Sequence, residues 1–530
     1  MKDRFDVVVV GGGHNGLVCA AYLAAAKLSV CVLERHTRVG GAAVTEEFHP
    51  GFRNSMASYT VSLLRRKIID DLGLERHGLK IVPRPLANFV PSLDGPGLEL
   101  PRGHDAAQRS IARHSLRDAE RFPRYAADLS ALARLFRSLW FESPVDPSGG
   151  PRETARMLAR LPRIARLGGR GASALWDLLA GSAGHTLDRW FETDLLKGGL
   201  GFDSIVGRFA SPYRPGSGYL LLHHALGEID GDEGAWGHAI GGMGAISDAL
   251  EACARERGVE IVCEASVERI EADERGCEVA SGGRVLRSRA VAAGVHPRLL
   301  FERLLDPARL PEEFRTRIRQ WRSESASFRA NVALAELPDF ACLPGRAAAP
   351  HHGSGILIAP GLGYLDAAHS DAERLGFSRA PVVELVIPST LDPTLAPEGA
   401  HVASLFCQHF RRRLPNGEPW SKQRDAALGT VIDTVSAYAP NFRSAVIAAQ
   451  AYTPEDLEQR FGLVDGDIFH GALDLDQIYW ARPAWGYAQY RTPVRRVYLC
   501  GSGAHPGGGV SGAPGHNAAR EICRDLARSR

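Results

Sequence analysis

A chain of 530 residues is too long for one small core, and its length calls for roughly two to four domains. Apolar residues make up 45% and the formal charge is only +2, which suits a soluble globular protein and excludes the strongly basic face that nucleic-acid binding needs. The nine cysteines form no C-x-x-C pair and fall mostly in apolar patterns, as expected in the cytoplasm or a similarly reducing compartment, and no secretory leader is expected before the first strand.

Arg4 to Val10 is an apolar, β-branched run of the kind that forms a strand buried on both faces. It breaks at Gly11-Gly12-Gly13-His14-Asn15-Gly16, after which Leu17 to Ala26 has a helix pattern and Leu28 to Leu33 is a second apolar strand ending on Glu34. This is the order of a βαβ dinucleotide unit. Gly11 permits the tight turn, Gly13 lets backbone approach a pyrophosphate, and Gly16 lets helix and strand pack closely. The helix start offers free N–H groups to the phosphates, and Glu34 can accept hydrogen bonds from a ribose diol. His14 and Asn15 complete the loop and Arg35 adjoins the acid, so all three join the candidate cofactor-binding set. Val7 to Ala26 is long enough to imitate a membrane span, but its glycines, His14 and Asn15 fit the loop better.

Arg38-Val39-Gly40-Gly41 and Thr45 continue past the acid, where an NAD enzyme needs no second glycine pair. The segment resembles the Arg-x-Gly-Gly stretch of FAD enzymes with the glutathione-reductase type of fold, including amine oxidases and phytoene desaturases. In those enzymes it passes close to the flavin, which implies Gly40, Gly41 and Ala42 as contacts. Ala42 stands where many of them carry arginine. Glu46 to Tyr59 is turn-rich and aromatic, and reads equally as a cofactor wrap and as a surface connection. Ile68 to Leu74 looks helical, Lys80 to Val82 extended, and His104 to Trp140 helical.

Pro151 to Arg170 sets Met157, Leu158, Leu161, Ile164 and Leu167 at helical spacing among six arginines, Arg152, Arg156, Arg160, Arg163, Arg166 and Arg170, with Pro162 expected to kink the helix. Such a helix either presents a solvated face or lies as a peripheral contact on an anionic membrane and admits an apolar substrate. Leu187 to Leu200 reads as an amphipathic helix, Ser211 to Gly218 as a loop, and Tyr219 to Ala225 as a helix carrying His223 and His224. Adjacent helical residues point roughly 100° apart, so this pair is expected to be structural, and no metal site is expected.

The nucleotide domain resumes at Trp236. Gly241-Gly242-Met243-Gly244 leads into the helix Ala245 to Arg257, followed by strands at Gly258 to Val262, Ser266 to Ile270 and Ala290 to Ala293. This resembles the part of a discontinuous FAD domain that adds a parallel strand and an adenine-side contact, here the backbone of Val267. The glycines lack G-x-G-x-x-G spacing, so no separate NAD(P)H domain is expected. Between 300 and 475, Val332 to Ala335, Gly355 to Ile358, Val382 to Ile387 and His401 to Phe406 read as strands and Gln423 to Ala439 as a helix. A last strand, Arg496 to Cys500, runs into Gly501 to Asn517, which holds seven glycines, and then the helix Ala518 to Ala527. So many glycines beside a helix start suit a large flat ring approached by backbone.

Gly40 to Thr45, Gly241 to Gly244, Asp467 to Gly471, Arg482-Pro483 and Gly501 to Asn517 together resemble the phytoene-desaturase-related FAD-dependent oxidoreductases, most nearly their pyridine nucleotide-disulfide oxidoreductase domain-containing protein 2 branch. No redox-active cysteine pair accompanies them, so disulfide chemistry is not implied. The resemblance implies an α/β fold. A discontinuous glutathione-reductase-type FAD-binding Rossmann domain (1–95, 235–300 and 476–530) would join an α+β substrate domain (96–234 and 301–475). It implies Gly501, Ser502, Gly509 and Val510 as further cofactor contacts; Ser502 replaces the acid that binds the ribityl chain in many relatives. It also implies hydride removal from a C–H bond by flavin N5, giving or moving a double bond in a small, apolar or conjugated substrate, with oxygen or a quinone as electron acceptor. Oxidation of a C–N bond, as in amine and amino-acid oxidases, is the alternative, and a flavoprotein with a regulatory binding role is the third. His505 and His516, in the glycine-rich tail, are the acid/base candidates, with scaffolding of the loop as the other role. Arg482 is expected either to bind a substrate carboxylate or to pair within the core.

Overall fold

The computed structural model describes residues 2–323 and 326–528. The valine run behaves as a stretch without a polar face must: strand Arg4–Val10 lies inside a sheet, and Val7, Val8 and Val9 are wholly buried. It pairs in parallel with Val30–Leu33 on one side and Arg284–Ala293 on the other. Glu260–Val262 extends the parallel set beyond Val30–Leu33, and Val497–Leu499 joins Arg284–Ala293. Val267–Ala272 and Cys277–Ser281 complete this seven-stranded sheet as an antiparallel meander. Helices His14–Ala25, Gly244–Glu256 and Ala513–Arg528 pack together against it. The crossing between the first and last is tight, because a Cβ on Gly515 would overlap the Asn15 carbonyl.

A second seven-stranded sheet runs in the order Val446–Tyr452, Phe328–Leu334, His401–Phe410, Phe377–Val386, Gly355–Ile358, Leu86–Val90, Leu98–Pro101. Alternate residues of its central strands (Phe328, Ala330, Val332; Leu405, Cys407; Val383, Leu385) pack against helix Trp420–Tyr438. The other alternation, Arg329, Phe406 and Glu384, faces the opposite way. The strand pairing takes the chain into this sheet at Leu86, ahead of residue 95, where the sequence puts the first boundary. We therefore propose a domain division that follows the sheets, with Leu86–Pro101 on the substrate side and the other expected boundaries kept.

Local differences from the sequence expectations have identifiable causes. The first helix begins at His14 rather than Leu17, so its opening turn lies inside the glycine motif. Glu46 to Tyr59 contains a hairpin, Thr45–His49 with Phe52–Ser55, turned at Gly51 with φ +80°. Pro151 to Arg170 forms short helices, Pro151–Leu158 and Leu161–Ala165, and the start of Gly168–Ala180, rather than one kinked helix. Pro162 sits at a helix start, where its missing N–H costs nothing. Leu187 to Leu200 is broken between Ala183–Trp190 and Asp194–Phe202, where the buried Asp118 carboxylate accepts the Glu192 and Thr193 N–H groups at 2.9 and 2.8 Å.

Candidate active site

The carboxyl ends of the parallel strands open on one cavity, enclosing about 1910 Å³ with its mouth included. Val10 ends the first strand and Gly11 follows it, Glu34 follows the second and Gly294 to His296 another, while Ser502 lies beyond the last; all line it. Ligands of open α/β sheets bind at this edge.

The glycine loop shapes one end. Gly11 has φ +95°, and a Cβ on Gly16 would overlap the Gly11 carbonyl oxygen, so strand, turn and helix can come this close only without side chains. Helix His14–Ala25 has no side-chain cap and no acid in its first turn, which leaves its N-terminal N–H groups for an anion. Glu34 is buried and takes the Gly12 N–H at 2.7 Å and the His36 N–H at 3.0 Å, while a carboxylate has further lone pairs for the cavity it lines. Asn15 Nδ2 donates to Ser502 Oγ at 3.3 Å, tying the first loop to the tail. Asn15 Oδ1 and His14 Nε2 are buried without a partner among the described residues. Burial also holds His14 down to about 4, so its ring is neutral at physiological pH.

Of the cofactor-binding residues read from the sequence, Gly11, Gly13, His14, Asn15, Gly16, Glu34, Arg35, Gly41, Ala42, Val267, Ser502, Gly509 and Val510 line this cavity. Gly40 and Gly501 do not. Gly40 donates its N–H to the Gly12 carbonyl at 2.9 Å, and a Cβ on Gly501 would run into the Gly294 backbone, so both shape the wall from behind.

None of the three catalytic candidates lines the cavity. His505 turns away from it: Nε2 lies 3.3 Å from the Leu139 carbonyl, its ring meets Tyr479 at 5.1 Å, and burial holds it down to about 4. His516 is wedged between Tyr22 and Phe141, with Nδ1 2.9 Å from Asn517 Oδ1. Arg482 is fully buried and bonds carbonyls, donating to Ser502 O at 2.7 and 3.0 Å, Phe469 O at 2.7 Å and Gln477 O at 3.1 Å. In this position it locks two segments, and Ser502 and Phe469 of those segments line the cavity.

Sequence reasoning missed most of the other end, where Tyr59, Thr60, Leu63, Val206, His224, Trp236, Phe406, Ile468 and Phe469 form the wall. Tyr59 stacks on Phe406 at 5.2 Å and donates its hydroxyl to Glu384. Arg84 donates to Glu384 Oε1 at 3.1 Å and to Thr60 Oγ1 at 2.9 Å. His224, expected to be merely structural, stacks on Trp236 and lines the cavity. A signal for His296 was present, since Gly294-Val295-His296 follows a parallel strand at its carboxyl end. Tyr59 and Phe406 carried no local one.

A family model described as an NAD(P)-binding Rossmann-like domain matches residues 9–66, and one described as flavin containing amine oxidoreductase matches residues 100–328. Pyridine nucleotide-disulfide oxidoreductase domain-containing protein 2 of Rattus norvegicus is 42% identical over 548 residues, covering 99% of this chain and 94% of the relative. The chain belongs to the pyridine nucleotide-disulfide oxidoreductase domain-containing protein 2 family. A more distant relative of this family member is the lycopene-forming phytoene desaturase of Pseudescherichia vulneris, 24% identical over 523 residues with 95% and 96% of the two chains covered. Its fold matches that of a putrescine oxidase triple mutant with a TM-score of 0.62 at 16% identity, covering 99% of each chain. This member of the family is thus an FAD-dependent oxidoreductase of the amine oxidase and desaturase superfamily. FAD suits the cavity on chemical grounds too, for the uncapped helix start offers N–H groups to its phosphates and the orphaned Asn15 Oδ1 can accept from a polar N–H or O–H of the ligand. No helix among the described residues is long and apolar enough to cross a membrane.

Proposed function

We propose that this protein oxidises a C–H bond next to another carbon in an apolar substrate, giving a C=C bond or, in a reversible form, moving one. The observation that carries the proposal is the contrast between the two ends of the cavity. Glu34 and Arg35, with the glycine loop, mark the adenosine end, and beyond them the wall is mostly aliphatic and aromatic, with hydroxyls and imidazoles but no further carboxylate among the described lining residues. An ammonium substrate would meet no counter-charge on that surface, whereas a hydrocarbon needs none. Burial keeps His14 and His224 below their ordinary range and His470 down to about 3, so these lining imidazoles are neutral as well. Bound FAD supplies a two-electron acceptor that takes hydride at N5. Gly11, Gly13, Asn15, Gly16, Glu34 and Val267 would hold its adenosine diphosphate half, and Gly41, Ala42, Ser502, Gly509 and Val510 its ring half, leaving Tyr59, Phe406 and Phe469 to orient the substrate. Electrons then leave to oxygen or a quinone. Residues 151–170 would rest on a membrane surface from which an apolar substrate is taken.

Oxidation of a C–N bond is the second reading, favoured by the match of residues 100–328 to the flavin containing amine oxidoreductases. Anaerobic mixing of the holoprotein with alkanoyl, terpenoid and amine compounds separates the two. Bleaching of the flavin by a terpenoid or alkanoyl compound, with a product two hydrogens poorer, supports the first reading. Bleaching by amines alone overturns it.

A further inference from the structure

Arg329 belongs to a row across the second sheet. The register pairs Arg329 with Tyr452 on one side and with Phe406 on the other, and Phe406 with Glu384. Residues directly opposite one another in a sheet point to the same face, and Phe406 lines the cavity, so the row faces it, with Arg329 and Glu384 behind Tyr59. Tyr59 lies on that row with its ring centroid 4.4 Å from the Arg329 guanidinium carbon and its hydroxyl on Glu384. Glu384 is already matched by Arg84. Arg329, only 1% exposed, donates from Nη2 to Ser404 Oγ at 2.6 Å, while its Nε and Nη1 have no acceptor among the described residues. Arg84 and Glu384, with Asp203 near them, form a charged group of their own, while the Arg329 guanidinium keeps open donors beneath the chamber. A buried cation with open donors is costly unless something supplies the missing acceptor.

We propose that Arg329 receives a carboxylate at one end of the substrate, so that the substrate class is an apolar body carrying a single acid group, bound when the Tyr59 ring moves off the guanidinium. A single guanidinium with open donors suits a monoanion, which favours a carboxylate over a phosphate. Half-exposed Tyr59 already forms part of the cavity wall, so it is the side chain whose movement opens the way. The inference rests on the proposal that this end of the cavity takes the substrate.

The test is a titration of the FAD holoenzyme with decanoate, decanol and decyl phosphate, followed by the perturbation of the flavin spectrum and by thermal shift. Decanoate is expected to bind at least about tenfold more tightly than decanol. Arg329→Met should erase that advantage and Arg329→Lys, which keeps the charge, should retain part of it. Exchanging a buried cation for an apolar chain of similar length is compatible with folding, and retained FAD reports that the variant is intact. Equal affinity for decanoate and decanol, tighter binding of decyl phosphate than of decanoate, or a preference that survives in Arg329→Met overturns the inference. A preparation that takes up no FAD fails the cofactor assignment instead, and thermal shift with the same probes still reads the carboxylate preference.

Discussion

Arg482 and His505 carry opposite lessons about single residues. Arg482 keeps its charge deep in the protein because several backbone carbonyls surround it and Trp321 stacks on it at 5.2 Å, although burial pulls it down to about 10. Removing the guanidinium would strand those carbonyls and free the segments that carry Ser502 and Phe469. Arg482→Met is therefore expected to cost about 3–5 kcal/mol, read by denaturant unfolding, and to lower the FAD content. His505→Gln, away from the cavity, should leave the rate of flavin reduction by a working substrate nearly unchanged; a large fall would return His505 to the chemistry. Sequence could name both residues, since each sits in a glycine-rich or aromatic setting. It could not tell which way either side chain points, because that depends on Leu139, Phe469 and Gln477, distant in the chain or across a turn.

Among the elements, helices Pro151–Leu158 and Leu161–Ala165 stand apart because none of their residues is buried. Met157, Leu158, Leu161 and Ile164 are 40–54% exposed beside arginines of which Arg160 and Arg163 pair with Glu142 and Arg156 with Glu153. Apolar side chains left about half exposed add little to folding, but they suit the core of a bilayer, and the arginines suit its anionic headgroups. Leu161→Ser with Ile164→Ser should change stability by no more than about 0.5 kcal/mol and abolish flotation with anionic vesicles. Failure of the unaltered protein to float would overturn the proposed membrane contact. The amphipathic pattern was legible from the residues. Its break into separate helices was not, since proline serves equally to kink a helix and to begin one.

Across the whole molecule, buried histidines set an acid limit on stability. Burial holds His14 and His505 down to about 4, and His409 and His470 down to about 3. Between the ordinary value of 6.5 and these folded values the unfolded chain binds a proton that the fold refuses, so their stabilising contribution is complete above 6.5 and falls as pH drops. Asp203 and Asp467 act in the opposite sense. Burial raises each to about 7, so the fold keeps a proton that the unfolded chain releases above 3.8, and stability from these two grows as pH falls through that window. Four histidines outweigh two aspartates, and each unbalanced proton is worth about 1.4 kcal/mol per pH unit. Urea midpoints are expected to fall steadily from about pH 6.5 towards pH 4.5, with a shallower fall in His409→Asn. A midpoint that holds constant over that range would contradict the balance.

The residues by themselves determined the dinucleotide half of this protein. Between Arg4 and Thr45 a buried strand, glycines that admit a turn and a helix, and an acid at the end of the next strand each impose their geometry through near neighbours, and nearly all of the candidate residues read there line the cavity. The tertiary structure decided the other half of the cavity. Tyr59, Phe406, Glu384 and Arg329 come from separate strands and turns, and only the pairing of those strands sets an aromatic wall over a guanidinium with open donors. Sheet register is a long-range property, so no stretch of the chain read alone could announce that chamber.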